Sequence, residues 1–240
     1  MKVKLDIYRH NPEHSEKSRR QIYDVEVEPT DRILDALIYI SGNVDGTLAF
    51  RKSCAHGICG SDAMRISGRE RLACKTLIRE VVKNDGDIIT IDPLSNMEVQ
   101  KDLMVNQSEF FTRFRSVEPF LKPWKAPPDS AEYTQSPEAR NLIEEATKCI
   151  NCGACYSACP VLTVKPNFIG PAALVTAARF CFDSRDKGLS GRLRILNHPD
   201  AVWSCENHFN CSRVCPRGIK VTRLINLLKR AVKNELKDKP

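Results

Sequence analysis

The stretch KCINCGACYSACP, Lys148–Pro160, places four cysteines within eleven positions and closes on proline. Few local patterns constrain a chain more. Cys149, Cys152 and Cys155 recur every three residues around the small spacers Gly153 and Ala154. A tight loop of this kind can present three thiolates to one polynuclear centre while its backbone N–H groups face the sulfurs. Zinc sites usually take their cysteines as separated pairs, so the run predicts an iron–sulfur cube. Disulfide scaffolding is the other use of many thiols. The eleven cysteines are an odd number, and the opening MKVKLDIYRH lacks the apolar core of a secretory signal. A cytoplasm-side chain with free thiols in a reducing compartment is therefore expected.

A second run, CENHFNCSRVCP, Cys205–Pro216, follows the same template with His208 in its second place. In two-cluster bacterial ferredoxins the fourth cysteine of such a run serves the other cluster. Exchanged in that way, Cys149, Cys152, Cys155 and Cys215 supply four thiolates to [4Fe–4S]. Cys159, Cys205 and Cys211 supply three, which suits [3Fe–4S], a cube lacking one corner iron. His208 is either a replacement that binds nothing or the ligand of a fourth iron.

The third cysteine group lies earlier, in SCAHGICGSD, Ser53–Asp62. Plant-type [2Fe–2S] loops read C-x4-C-x2-C with a further cysteine later. Here Cys54 and Cys59 keep the spacing, Asp62 stands in the third place, and Cys74 follows eleven residues on. A carboxylate is already ionised near neutral pH, with a reference pKa of about 3.9, so Asp62 can complete the set as an anionic ligand. The alternative is a plain loop aspartate and a cluster one ligand short. These three groups use ten cysteines; Cys181, in LVTAARFCFDS, is left as a small core hydrophobe.

Periodicity divides the chain into two halves. Val3, Leu5 and Ile7 alternate with polar residues, and Ile22, Val25 and Val27 suggest a second strand across a hairpin loop, NPEHSEKSRR. PTDRILDALIYI changes to helical spacing, with Thr30 or Asp31 as the cap and Leu34, Leu37, Ile38 and Ser41 on one face. GDIITID, 86–92, is a further strand. These elements predict an α+β domain over residues 1–105. Residues 106–137 form a connector, whose prolines at 119, 123, 127, 128 and 137 oppose regular structure. Residues 138–240 are predicted helical, with helices at 138–147, 171–183 and 219–237. In the last, Val221, Leu224, Ile225, Leu228 and Val232 make one apolar stripe. No stretch of about 18 apolar residues is present to span a membrane. The formal net charge of +7 suits an acidic partner, anionic lipid or nucleic acid, although much of it reads as solvated helix faces.

Taken together, "GICGSD", "LACKT", "CINCGACYSACP", "NFIGPAAL", "DSRD", "VWSC" and "CSRVCPRG" resemble the iron–sulfur subunit of succinate dehydrogenase and fumarate reductase (complex II), across nearly the whole chain. The resemblance implies a β-grasp plant-type [2Fe–2S] ferredoxin domain followed by an all-α bacterial-type ferredoxin domain with [4Fe–4S] and [3Fe–4S]. It implies an electron relay, as in succinate dehydrogenase, between a flavoprotein subunit carrying FAD and a quinone at membrane anchor subunits. Fumarate reductase, running in reverse, is the alternative. The chain would sit on the cytoplasmic face of the bacterial inner membrane and hold no dicarboxylate site. Pro160, Trp203, His208 and Lys229 match positions bordering the family's quinone site. Many succinate dehydrogenases carry tryptophan shortly after the Cys-Pro, where this chain has Thr163 and Val164; the context of Trp203 also leans towards fumarate reductases. A thiol- or methanogen-type reductase subunit shares a related layout but usually carries further cysteine-rich domains. A nucleic-acid-binding protein would use the positive charge, yet no aromatic interleaving or nucleic-acid motif accompanies it, and no nucleic-acid partner is expected.

Overall fold

In the computed structural model, β1 (Lys2–Arg9) pairs antiparallel with β2 (Arg19–Glu26), Leu5 opposite Tyr23 and Val3 opposite Val25. The description covers residues 1–13, 18–123, 127 and 132–237, with backbone alone at 236–237; part of the expected hairpin loop, 14–17, lies outside it. The alternation read from the sequence has its usual cause: Val3, Leu5 and Ile7 point to the buried face and their neighbours to solvent. β3 (Ala63–Ile66), β4 (Arg69–Leu72) and β5 (Ile88–Asp92) complete a mixed sheet ordered β2-β1-β5-β3-β4, in which only the β1–β5 pair is parallel. β6 (Val99–Lys101) and β7 (Met104–Val105) form a separate ribbon.

Helix α1 (Ile33–Asn43) departs from expectation at its start and on its face. Its cap is Arg32, whose N–H donates to Asp35 Oδ2 at 3.0 Å and whose guanidinium binds the same carboxylate. Asp31 instead accepts from the Glu28 N–H. The buried residues are Ile33, Leu34, Ala36, Leu37 and Ile40, while Ile38 is exposed and Ser41 half-buried. Helical spacing groups Leu34 and Leu37 equally well with Ile38 and Ser41 or with Ile33 and Ile40, and packing selects the second set.

The chain forms two compact units, Met1–Gln107 with Ile150–Ala158, and Ser108–Cys149 with Cys159–Pro240. The first captures the short helix α4 (Ala154–Ser157), which packs beside β4. Ser157 Oγ donates to Glu70 Oε1 at 2.9 Å and accepts the Ser95 N–H at 2.8 Å, and Asn96 Nδ2 reaches the carbonyls of Tyr156 and Ser157.

In the second unit α2 (Ser108–Ser116), α3 (Pro137–Thr147) and α7 (Leu189–Leu196) surround α6 (Gly170–Cys181), and α9 (Val221–Lys237) packs along it. The buried positions of α6 run all round it, from Gly170 and Pro171 to Cys181, as a central helix requires. The five-residue stripe of α9 is fully buried. α2 occupies the first part of the expected connector, ahead of its prolines. The described residues beyond are tied down by the DSRD segment and by α7: Asp186 accepts the Lys122 N–H, Asp183 accepts from Gln135, and Arg192 on α7 donates to the carbonyls of Glu118 and Phe120. Residues 124–126 and 128–131, with Pro128, lie outside the described residues. The helices α4, α5 (Pro160–Val164) and α8 (Asn210–Arg213) are each shorter than a hydrophobic period can reveal.

Candidate metal centres

The loop before β3 is shaped for an anionic centre. Ala55, Gly57 and Gly60 take positive φ values of 57°, 83° and 70°, which curl the backbone so that its N–H groups turn inward. Cys54 Sγ accepts from the N–H groups of His56, Ile58 and Cys59 at 3.5, 3.4 and 3.3 Å. These donors, His56 first, lower the Cys54 thiol to about 6, so it is a thiolate at neutral pH. The sheet supplies the other half: β3 follows Asp62 directly, and β4 ends two residues before Cys74. The pairing of these strands sets Asp62 beside Cys74, whose N–H donates to Asp62 Oδ2 at 2.6 Å. Burial and then the Asp62 carboxylate push the Cys74 thiol up to about 12. Asp62 is 2% exposed, and its Oδ1 has no hydrogen-bond partner among the described residues. A buried carboxylate oxygen without a donor is costly and fits a position facing a cation. The donor set of Cys54, Cys59, Asp62 and Cys74 therefore suits a [2Fe–2S] cluster.

The two later runs share more than cysteine spacing. In the first, Asn151 and Gly153 have φ of 52° and 81°, and α4 follows; in the second, Asn207 and Phe209 have φ of 61° and 64°, and α8 follows. The pseudo-repeat thus extends to backbone conformation, with Phe209 in the left-handed region that Gly153 occupies in the first copy. At 153 the positive φ favours glycine, and a Cβ there would lie 3.0 Å from Met97 Cε and 3.2 Å from Leu94 Cδ1, so those side-chain ends would have to give way by a few tenths of an ångström. The Phe209 side chain is 55% exposed and meets no such wall.

Cys159, Cys205 and Cys211 come together on one small pocket open to solvent, bordered also by Pro160, His208 and Phe209. Burial raises the Cys159 thiol, and nearby Cys211 and Cys205 add to this against the N–H groups of Leu162 and Val161. Burial likewise raises Cys211, partly offset by its contact with Thr222 Oγ1 at 3.5 Å. Three cysteine side chains on one pocket are a donor set that suits a multi-iron cluster. His208 is exposed and its Nε2 lies 3.3 Å from Glu206 Oε2, with Lys165 Nζ 2.8 Å from the same carboxylate's other oxygen. Of the remaining quartet, Cys149 lies two residues beyond α3, Cys152 is buried just before α4, Cys155 lies within it, and Cys215 follows α8. They fall in both compact units.

Among the other expected residues, Pro160 opens α5 at the surface, and Lys229 Nζ donates to the Cys205 carbonyl at 2.6 Å. The half-buried Trp203 donates its Nε1–H to Asn197 Oδ1, and Lys233 lies 5.8 Å over its ring. Cys181 is 7% exposed, and burial pushes its thiol up to about 12. Sequence reasoning missed Glu70 and Ser157, whose buried bond holds the α4 segment. They stand 87 positions apart and carry no spacing signal.

Residues 4–112 match the 2Fe-2S iron-sulfur cluster binding domain family, and residues 145–219 the 4Fe-4S dicluster domain family. The fumarate reductase iron-sulfur subunit of Mycobacterium tuberculosis (strain CDC 1551 / Oshkosh) is 37% identical over 219 residues, covering 91% of this chain and 87% of its own length. The chain belongs to the family of fumarate reductase and succinate dehydrogenase iron–sulfur subunits. The fumarate reductase iron-sulfur subunit of Escherichia coli O157:H7 is 36% identical over 217 residues, covering 90% of this chain and 87% of its own. Among solved structures, the Mycobacterium smegmatis Sdh1 complex in the apo form contains a chain that superposes with a TM-score of 0.85 at 26% identity, covering 99% of this chain and 98% of that one. As a family member the chain is an electron-transferring subunit of complex II, with a [2Fe–2S] domain built on a mixed sheet and a mostly helical 4Fe–4S domain. Among the described residues no helix is long and apolar enough to cross a membrane.

Proposed function

We propose that the chain holds three clusters in series and relays single electrons between a flavoprotein subunit and a membrane quinone. Cys54, Cys59, Asp62 and Cys74 hold [2Fe–2S]. Cys149, Cys152, Cys155 and Cys215 hold [4Fe–4S]. Cys159, Cys205 and Cys211 hold [3Fe–4S]. The observation that carries the reading is the gathering of Cys159, Cys205 and Cys211 on one cavity without a fourth cysteine, the donor count of a three-iron cluster. When bound, the clusters supply one-electron carriers. The protein residues hold them, exclude water and fix their spacing.

Oxidation of succinate to fumarate on the flavoprotein releases two electrons and two protons, and a quinone takes up the same number. No dicarboxylate site is required here. Pro160, His208, Lys229 and Trp203 border the quinone side, with anchor subunits holding the complex at the cytoplasmic face of the membrane. The same relay run in reverse serves fumarate reduction, a reading favoured by the fumarate reductase relatives and by Thr163 and Val164 standing where many succinate dehydrogenases have tryptophan.

The test is co-expression with the flavoprotein and anchor subunits, followed by iron analysis and electron paramagnetic resonance. About nine irons per chain are expected from 2, 4 and 3, with a [3Fe–4S] signal in the oxidised protein. Cys54→Ser and Cys152→Ser should each abolish succinate–quinone electron flow while dye reduction at the flavoprotein survives. Zinc in place of iron, or quinone reduction persisting in both variants, would overturn the assignment.

A further inference from the structure

We propose that Gly60 sets the electron-transfer gap between the first two clusters, because its bare backbone lets the [2Fe–2S] loop press directly on Cys152. The inference rests on the ligand assignment above and deepens it. A Cβ at position 60 would stand 2.6 Å from Cys152 Cβ, 2.9 Å from Cys152 Cα and 3.2 Å from the Ile150 carbonyl oxygen. Those atoms belong to main chain or adjoin it, so none can swing aside as a side-chain tip would.

Gly60 directly follows Cys59, one ligand of the first cluster, and its neighbour in space is Cys152, a ligand of the second. The route from one cluster to the other therefore crosses a ligand, a glycine and a ligand. The positive φ of 70° at Gly60 does not by itself account for this contact. Gly57, in the same loop, has φ of 83°, yet a Cβ there would meet only the flexible side-chain carbons of Lys75.

The approach is held from behind. Ser157 hydrogen-bonds Glu70 on β4 and the Ser95 N–H, and Asn96 binds the carbonyls at 156 and 157. These bonds fasten the segment carrying Cys152 to the same compact unit as the [2Fe–2S] loop. Electron tunnelling falls steeply with distance, so a contact this short has a kinetic consequence as well as a packing one.

The experiment compares Gly60→Ala with Gly68→Ala, matched for backbone strain at a φ of 76° but with nothing within 4 Å of an added Cβ, in the assembled complex with its partner subunits. Iron content and the separate paramagnetic signals report loading. The magnetic interaction between the two reduced clusters, and the rate at which electrons leave [2Fe–2S] after rapid reduction, report the gap. Gly60→Ala should retain both clusters, weaken their interaction and slow onward transfer several-fold, while Gly68→Ala leaves both readouts at the parent level. If Gly60→Ala fails to load, Ser157→Ala decides: it keeps the glycine, loosens the fastening and should weaken the interaction in the same direction. Loaded variants with unchanged interaction and rate would overturn the proposal, as would equal slowing in Gly68→Ala. Absence of a Cys54-dependent [2Fe–2S] signal in the unmodified complex would overturn the underlying assignment instead.

Discussion

Lys229 Nζ donates to the carbonyl oxygen of Cys205 at 2.6 Å, tying the middle of α9 to the cysteine that opens the 205–215 run. A hydrogen bond from a charged group contributes about 1.5–3 kcal/mol, and half-burial puts this one at the lower end. Lys229→Gln should weaken retention of the [3Fe–4S] cluster, and Lys229→Arg should preserve more of it. The readout is the oxidised paramagnetic signal per chain; equal signals in parent and Lys229→Gln would refute the anchoring role.

Asp62 Oδ1 is buried without a partner, while Oδ2 accepts the Cys74 N–H. Asp62→Ala should remove the [2Fe–2S] signal, since it deletes an anionic donor and orphans that N–H as well. Asp62→Cys should retain the cluster with an altered potential, because a thiolate is a softer ligand. A full [2Fe–2S] complement in Asp62→Ala, measured by absorption and paramagnetic resonance, would exclude Asp62 as a ligand.

Arg9 is 6% exposed and binds Asp45 at 2.6 Å and Asp102 at 3.0 Å. Asp102 also accepts the N–H groups of His10 and Ala49, so this cluster of charges fastens the approach to the [2Fe–2S] loop to the sheet. Arg9→Met leaves two carboxylates uncompensated and should cost about 3–5 kcal/mol, seen as a lowered unfolding midpoint. A loss below about 1 kcal/mol would mean the cluster behaves as a surface pair.

Acid should weaken both units. Burial pushes Asp45 up, but hydrogen bonds from Thr47, Tyr23 and Arg9 prevail and hold it well below the usual carboxylate range. At Asp183 burial is likewise outweighed by Arg185 and Arg179. A carboxylate depressed in the folded state contributes stability above its ordinary pKa of about 3.9 and loses it as pH falls through the folded value. Asp45→Asn and Asp183→Asn should each lower Tm at neutral pH, and the gap from the parent should narrow below about pH 4. A gap independent of pH would rule out this linkage.

Phe209 holds φ of 64° with its side chain 55% exposed. Relief of a left-handed backbone is worth about 1 kcal/mol, so Phe209→Gly should be neutral or stabilising. Gly153→Ala should be destabilising, because Met97 and Leu94 crowd that position. Thermal unfolding of the two variants measures the contrast, and a large loss in Phe209→Gly would show that the ring itself is needed.

Ligand spacing was legible in the sequence because chelation by a short loop is a local property. The spacings from Cys54 through Asp62 to Cys74, and within the two runs Cys149–Cys159 and Cys205–Cys215, were enough to propose cluster types, and the repeated left-handed positions in the two later runs agree with their common template. The apolar stripe from Val221 to Val232 was legible for the same reason, since one long amphipathic helix announces its own period. Ile38 was misread because helical spacing pairs Leu34 and Leu37 with Ile38 as readily as with Ile40, and only packing against the rest of the unit chooses between them.

By itself, then, the sequence determined which donors exist and how far apart along the chain they lie, since those quantities are covalent. Tertiary structure alone decided that residues 150–158 join the first compact unit, that Glu70 reaches Ser157, and that Gly60 lies against Cys152. Each of these is a contact between segments about ninety positions apart. Such contacts are selected by shape and by buried polar pairing across the folded chain, which no spacing along it records.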